Sequence, residues 1–153
     1  MLETFALAGG VFSLLAFVHF FADWLFQTHD EATNKHHDFS VRGRHCIIYT
    51  AAFVPFILLL GIGGWGLPIS LLTLFLSHFI IDTYIPVFLW AKFVRKVPEL
   101  SKNSGPGEDR YLSSKKMFGK LFKESPVHAI LFIAVDQILH LTFLWIIVLL
   151  ALL

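Results

Sequence analysis

Four long hydrophobic runs, separated by polar stretches, make up most of this chain. They cover residues 3–27, 45–62, 68–92 and 126–152. At ~1.5 Å per residue, a run of about 20 residues crosses a hydrocarbon core of ~30 Å as an α-helix. The pattern therefore predicts a single all-α domain over residues 1–153, a polytopic membrane protein built as a four-transmembrane-helix bundle.

The composition supports a membrane protein. The chain is 56% hydrophobic with a mean hydropathy of +0.71, whereas soluble domains average roughly 45–50% apolar residues. Cys46 is the only cysteine, so an intramolecular disulfide is excluded. Glu3 stands where a signal peptide carries its cationic region, which favours a retained first helix over a cleaved signal.

The positive charges predict the orientation in the membrane. Of twelve lysines and arginines, Lys35, Arg42 and Arg44 lie in the first loop, and the other nine lie in residues 92–123. By the positive-inside rule, the first and third loops are cytoplasmic and both termini are outside. This predicts a multi-pass protein of the inner (cytoplasmic) membrane that has membrane lipid as a partner and no nucleic acid.

The third loop, residues 92–125, contains a short amphipathic pattern. Its apolar and basic residues recur at helical spacing: Met117, Phe118, Leu121 and Phe122, with Lys115, Lys116, Lys120 and Lys123. Such a helix is typical of an interfacial anchor near anionic head groups. A phosphate-binding lid is the alternative.

Three aspartates lie within the predicted spans, and each has a histidine four residues away. The pairs are His19–Asp23, His78–Asp82 and Asp136–His140. Residues four apart share one face of a helix, and a charged group in a span costs at least ~2.5–3.5 kcal/mol. Three such aspartates, each with a histidine at the same spacing, indicate that the three pairs share one function.

Metal coordination explains the pairs, because a divalent cation neutralises carboxylates and binds imidazole. His45 adds a seventh candidate, so the predicted ligands are His19, Asp23, His45, His78, Asp82, Asp136 and His140. Without a thiol, the set favours Zn above all, with Mn, Fe or Ni as alternatives, in one or two ions. Gln27 and Lys35 are expected at the mouth of the site.

Other interpretations stay open at this stage. The carboxylates and imidazoles could form a proton relay, or hydrogen bonds between helices. Pro86 removes the helical partner of the Asp82 carbonyl, which then becomes a further oxygen donor or simply marks a kink. His29, His36 and His37 fall in the first loop and are expected to be solvated.

The motifs HFFADWLFQT…NK, RHCIIYT, SHFIIDTY and VDQILHL resemble a family of small prokaryotic and phage membrane proteins of unknown function. The resemblance adds Gln27, Asn34, Lys35 and Gln137 to the candidate site, and the position of Tyr49 is often histidine in that family. A looser similarity of pattern exists to membrane-bound metal-dependent hydrolases.

These observations support three hypotheses. The first is a metal-dependent hydrolase acting on a phosphoester or lipid head group at the cytoplasmic leaflet, with Asp23, Asp82 and Asp136 as catalytic carboxylates. Its substrate would meet Gln27, Asn34, Lys35 and Gln137. The second is a transporter or channel for divalent cations or protons. The third is a non-catalytic interaction module with a structural metal. A second copy of the chain is a further expected partner, as a homodimer.

Overall fold

All regular structure in the described part of the chain, residues 2–94 and 126–152 of this computed structural model, is helical. The helices are α1 (Leu2–Phe20), α2 (His29–Asn34), α3 (Phe39–Leu59), α4 (Gly66–Ile81), α5 (Ile85–Phe93) and α6 (Pro126–Leu152), with a π-helical turn (Phe21–Leu25) continuing α1. The predicted all-α class is confirmed for these residues. The predicted amphipathic helix of the third loop lies outside them.

Within the described ranges, two helical segments, Leu2–Leu25 and Ile130–Leu149, are long and apolar enough to cross a membrane. A third span exists if α4 and α5, which are bent by 50° at a short break, count as one. α3 carries Arg42 and Arg44 near its start, and its apolar remainder, residues 46–59, is only ~21 Å long at helical rise. The described part of the protein is thus all-helical, with two candidate spans and a third if the bent pair is one span.

α1 widens into a π-helical turn at its end. There the Phe26 N–H bonds to the carbonyl of Phe21 at 3.3 Å, five residues back. Such widened turns are frequent at functional sites because they shift side chains relative to a regular helix. Both Ala22 and Asp23 in this turn are buried, so an aspartate faces the interior of the bundle.

The polar stretch after α1 folds over the end of the bundle. Thr28 and Glu31 form a reciprocal capping box that starts α2, as their spacing favours. Glu31 also accepts a hydrogen bond from Arg44 Nε at 2.9 Å, which ties α2 to α3. Asp38 caps α3 by accepting from the backbone of Ser40 and Val41. α3 thus begins at residue 39, before the predicted start at residue 45.

The third predicted helix is broken after Asp82. Tyr84 adopts a left-handed conformation with φ of 58°, which is strained for a residue with a side chain. Pro86 follows in the first turn of α5, where it has no N–H to offer to the preceding turn. The resulting bend leaves the carbonyl of Asp82 free of an α-helical partner.

Two apolar clusters pack the bundle. The larger joins α1, α3, α4 and α6 through buried side chains that include Leu15, Phe53, Leu74 and Leu144. The smaller joins α5 to α6 through Val87, Ala91, Phe132 and Val135. The histidine and aspartate side chains of the predicted site lie beside the larger cluster, at the end of the bundle nearest α2.

Candidate metal centre

Four buried side chains meet beneath α2. Asp23 comes from the π-helical turn, His45 from the second turn of α3, and His78 and Asp82 from the end of α4. Each offers one ligand atom, and these atoms all lie within 4.8 Å of one another. None of the four is more than 2% exposed. We call this group the Asp–His cluster.

The distances between the ligand atoms are short and even. His45 Nε2 lies 3.1 Å from Asp23 Oδ1 and 3.5 Å from Asp82 Oδ2. His78 Nε2 lies 3.6 Å and 3.4 Å from the same two oxygens. The two Nε2 atoms are 3.0 Å apart. Ligands at ~2.0–2.2 Å from a tetrahedral ion are separated by roughly 3.3–3.6 Å, so the cluster has the size of a metal site.

The position of His45 Nε2 is difficult to explain by hydrogen bonds alone. This nitrogen has four polar neighbours within 3.5 Å: Asp23, Asp82, His78 and the Nζ of Lys35. An imidazole nitrogen carries either one N–H or one lone pair, so it makes one good hydrogen bond. Three of these neighbours, Asp23, Asp82 and His78, offer lone pairs to one region, as the ligands of an ion do, whereas the Lys35 ammonium group is itself a cation.

Lys35, which follows α2, reaches into the Asp–His cluster. Its Nζ donates to Asp23 Oδ1 at 2.7 Å and to His45 Nε2 at 3.0 Å, and it lies 3.3 Å from Asp82 Oδ1. Burial alone would lower the pKa of Lys35, but the carboxylates of Asp82 and Asp23 hold it above its usual value. The amine is therefore a charged ammonium group in contact with two carboxylates.

A second layer of hydrogen bonds orients the cluster from α6 and α3. His19 Nε2–H donates to Gln137 Oε1 at 3.0 Å, and His19 Nδ1 accepts from the Tyr49 hydroxyl at 3.0 Å. Gln137 Nε2 in turn donates to Asp23 Oδ2 at 3.2 Å and to Asp136 Oδ2 at 3.3 Å. The Tyr49 ring stacks on His78 with centroids 3.6 Å apart. Such outer partners fix the orientation of ligands.

His140 and Asp136 stand at the edge of the cluster. His140 Nδ1–H donates to the backbone carbonyl of Asp136 at 3.0 Å, which leaves its Nε2 as a lone pair. This Nε2 lies 3.8 Å from Asp82 Oδ1, beyond hydrogen-bond distance. Among the described residues, neither His140 Nε2 nor Asp136 Oδ1 has a hydrogen-bond partner. Both atoms are thus available to accept a proton.

His36 holds the break between α4 and α5. Its Nδ1–H donates to the Asp82 carbonyl at 2.9 Å, and its ring stacks on Tyr84 with centroids 3.4 Å apart. Burial, with Lys35 nearby, lowers the pKa of His36 to about 3, so the ring is neutral. The expectation that His36 is solvated is therefore wrong. The Asp82 carbonyl, considered from the sequence as an oxygen donor, is used by this hydrogen bond.

Glu31 anchors the segment that carries Lys35. Burial would raise the pKa of Glu31, but hydrogen bonds from the backbone of Thr28 and from Arg44 bring it below its usual value. Arg42 Nη1 donates to the carbonyls of Lys35 and His36 at 3.2 and 3.3 Å. Residues 28–38 are therefore held against the cluster by charged contacts at both ends.

The predicted site residues fall into three groups. Asp23, His45, His78 and Asp82 form the Asp–His cluster, and His19, Asp136, Gln137 and His140 surround it. Lys35, expected at the mouth, lies inside it. Asn34 donates instead to Asp30 within α2. Gln27 is half-buried, and its Oε1 has no hydrogen-bond partner among the described residues.

Sequence reasoning missed two contributions to the site. The role of His36 was signalled by Pro86, since a freed carbonyl at Asp82 needs a donor. Tyr49 lies one turn after His45, so it shares the buried face of α3. Nothing in the spacing of Lys35 pointed to the cluster, because the path of residues 28–38 depends on the fold of the loop.

Comparison with known proteins identifies the family of this chain. The model of the family described as "Protein of unknown function (DUF3307)" matches residues 11–153. The chain therefore belongs to this family. No curated protein and no solved structure matches the chain. The description of the family assigns no reaction to its members.

Proposed function

We propose that this member of the family is a multi-pass membrane protein that binds a divalent transition-metal ion on Asp23, His45, His78 and Asp82 and uses it to hydrolyse a phosphoester. The observation that carries the proposal is the convergence of these four buried ligand atoms from the π-helical turn, α3 and α4. Two imidazoles and two carboxylates suit zinc, and manganese, iron or nickel are the alternatives.

Charge balance supports an ion in this set. Asp23 and Asp82 place two carboxylates in a region that is at most 2% exposed, where unpaired charges are costly. A divalent cation neutralises both. Asp82 adds to this argument: it has ion-pair contacts, but neither of its oxygens accepts a hydrogen bond within the described residues, which is rare for a buried carboxylate in native proteins.

The surroundings of the cluster support hydrolysis. A divalent ion in such a site lowers the pKa of water and so supplies hydroxide near neutral pH. His140 Nε2 and Asp136 Oδ1 have no hydrogen-bond partner in the described part of the chain and are placed to accept the proton. The side-chain amide of Gln137 donates hydrogen bonds to both Asp23 and Asp136, and so holds the two carboxylates near each other.

The same proposal includes four spans, formed by α1 with its π-helical turn, α3, α4 with α5, and α6. All twelve lysines and arginines lie within residues 35–44 and 92–123. By the positive-inside rule, this distribution supports a topology with both of these regions on the cytoplasmic side and both termini outside. The Asp–His cluster then lies near the cytoplasmic leaflet, beside basic loops. A lipid head group or another phosphoester is the substrate class that this environment favours.

Transport of cations or protons has less support. On the side of the cluster away from α2, a cavity of about 180 Å³ is lined almost wholly by apolar side chains such as Leu15, Ile57, Leu74 and Val148. Among the described residues that line this cavity, an ion leaving the cluster would meet one polar side chain, that of Ser70. The hydrogen-bond chain from Tyr49 through His19 passes through the Gln137 amide, which does not exchange protons as a carboxylate does.

The test is metal analysis and turnover on detergent-purified protein. We compare the wild type with His78→Gln and Asp82→Asn, and with His29→Gln as a control, because His29 is exposed in α2. We expect about one equivalent of metal in the wild type and the control, and little in the two cluster variants. Release of phosphate from phosphatidic acid or an aryl phosphate should follow metal content. A metal-free wild type would overturn the site, and metal without any turnover would overturn the hydrolase.

A further inference from the structure

We propose that Lys35 is a built-in competitor of the metal ion: its ammonium group and a divalent cation share Asp23 Oδ1 and His45 Nε2 of the Asp–His cluster, so only one of them is bound at a time. This inference rests on the proposed metal site. It goes beyond it by assigning to one residue the control of metal affinity and of the position of residues 28–38.

The contacts of Lys35 are those that an ion would make. Its Nζ lies 2.7 Å from Asp23 Oδ1, 3.0 Å from His45 Nε2 and 3.3 Å from Asp82 Oδ1. These atoms belong to three of the four residues of the cluster. The remaining exposure of Lys35 is 6%, so the ammonium group is placed in the interior and is not a surface contact.

The His45 nitrogen makes the two occupants exclusive. Its single lone pair either accepts the Lys35 N–H or coordinates an ion, and it cannot do both. An ion bound to Asp23 Oδ1 at ~2.1 Å would also lie within about 5 Å of Nζ, since that oxygen is 2.7 Å from Nζ. Two cations at that distance in a buried site repel each other strongly.

Charge balance favours exchange over joint occupancy. With the ammonium in place, Asp23 and Asp82 keep one unbalanced negative charge between them. A divalent ion alone balances both, and the two cations together leave an excess positive charge. Asp136 is not counted here because it lies outside the four residues of the cluster and its Oδ2 accepts a hydrogen bond from the Gln137 amide at 3.3 Å.

Exchange of the ammonium group for a metal ion should also change the position of residues 28–38, the segment that carries Lys35. Residues 28–38 are held by His36 on the Asp82 carbonyl at 2.9 Å and by Arg42 on the Lys35 carbonyl at 3.2 Å. When the ammonium group leaves, this segment loses its contact with the interior of the cluster. Metal binding should therefore make the Lys35 amine accessible from the cytoplasmic end of the bundle.

The affinity test uses Zn²⁺ as the probe, measured by calorimetry or competition with a chromophoric chelator on detergent-purified full chain. Lys35→Met keeps the apolar stem and removes the charge, whereas Lys35→Arg keeps the charge. Lys102→Met is the control, because it removes one positive charge from residues 92–123, to which no role in the cluster is assigned. We expect Lys35→Met to bind Zn²⁺ at least about tenfold more tightly, within the usual range of coupling between sites. Lys35→Arg should bind no more tightly than wild type, and Lys102→Met should change affinity by less than about threefold.

The outcomes separate this inference from the proposed function. Zn²⁺ binding by wild type with no gain in Lys35→Met overturns the competition and leaves the metal site standing. An equal gain in Lys102→Met also overturns it, because the effect would then come from total charge. Absence of Zn²⁺ binding in wild type and Lys35→Met overturns both proposals.

A second measurement does not depend on the folding of a variant. Wild-type protein is treated with an amine-acetylating reagent with and without saturating Zn²⁺, and modification of Lys35 is quantified by mass spectrometry. We expect Zn²⁺ to raise the rate at Lys35 at least about fivefold, the lower end of typical coupling. An unchanged or reduced rate at saturating Zn²⁺ would refute the exchange.

Discussion

Replacing Asp23 by asparagine keeps the shape of the side chain and exchanges one oxygen for an amide nitrogen. Both oxygens of Asp23 face donors: Oδ1 accepts from Lys35 at 2.7 Å, and Oδ2 accepts from Gln137 at 3.2 Å. Asparagine offers one oxygen, so its NH₂ group must face either the ammonium group or the Gln137 amide. Either arrangement brings two donors together in a buried site.

The magnitude follows from burial. Removing one partner of a buried ion pair costs about 3–5 kcal/mol, because the other charge is left behind. In Asp23→Asn, Lys35 still has a second carboxylate partner, Asp82, at 3.3 Å. The expected loss of unfolding free energy is therefore near the lower end of this range, about 3 kcal/mol. Asp136 is the matched control, since it also accepts from Gln137, at 3.3 Å, but has a partly exposed side chain. Asp136→Asn should cost about 1 kcal/mol, as for one ordinary hydrogen bond.

The assay is the free energy of unfolding of metal-free protein in mixed micelles, titrated with a denaturing detergent, because the Lys35–Asp23 ion pair requires that no metal is bound. Metal content is measured on separate samples. We expect Asp23→Asn to be less stable than Asp136→Asn by about 2 kcal/mol, and to bind little metal. Asp136→Asn should keep its metal. Equal losses of stability and of metal in the two variants would refute the assignment of Asp23 to the cluster and Asp136 to its edge.

Three further predictions follow from the contacts around the cluster. Glu31→Gln removes the charge that holds Thr28 and Arg44, and amide hydrogen exchange in residues 28–38 should rise about 5–30-fold, as a loss of 1–2 kcal/mol implies. The pKa of His36 is lowered from 6.5 to about 3 when residues 28–38 are docked, so protonation of His36 favours the undocked segment. Docking should therefore weaken by up to about 1.4 kcal/mol per pH unit below pH 6.5. Amide exchange of residues 28–38, corrected for the intrinsic exchange rate, should show this pH dependence, and His36→Asn, which keeps a donor, should abolish it. Tyr49→Phe removes the donor to His19 Nδ1 and should lower the free energy of unfolding by about 1 kcal/mol. The Zn²⁺ affinity of this variant should change less than tenfold. Loss of Zn²⁺ binding would show that His19 is itself a ligand.

The polar centre could be predicted from the sequence because charges inside hydrophobic runs are costly and must have partners. His78 and Asp82 illustrate this, since their four-residue spacing places both in the cluster. The helical class follows from the same runs. What the sequence could not provide is the rotation of one helix against another, which turns His19 toward Tyr49 and Gln137 instead of the cluster.

The first loop shows a different reason for failure. A polar stretch carries no periodic signal for where its side chains will point. The capping box at Thr28 and the cap at Asp38 fix the path of residues 28–38, and only that path brings Lys35 and His36 back to the bundle. The capping residues of this loop can be predicted from the sequence. That they bring Lys35 and His36 into the site could be known only from the structure.

The three pairs of equal spacing have three different roles, and His140 tests this distinction. In the third pair, His140 Nδ1 bonds to the backbone of Asp136, and its Nε2 faces Asp82 Oδ1 from 3.8 Å without bonding to it. A ligand would be needed for metal binding, whereas a proton acceptor is needed only for turnover. We therefore expect His140→Gln to keep about one equivalent of metal and to lose at least about 100-fold in turnover, the usual contribution of a general base. Loss of metal in this variant, measured beside His29→Gln, would instead place His140 among the ligands and would enlarge the Asp–His cluster to five residues.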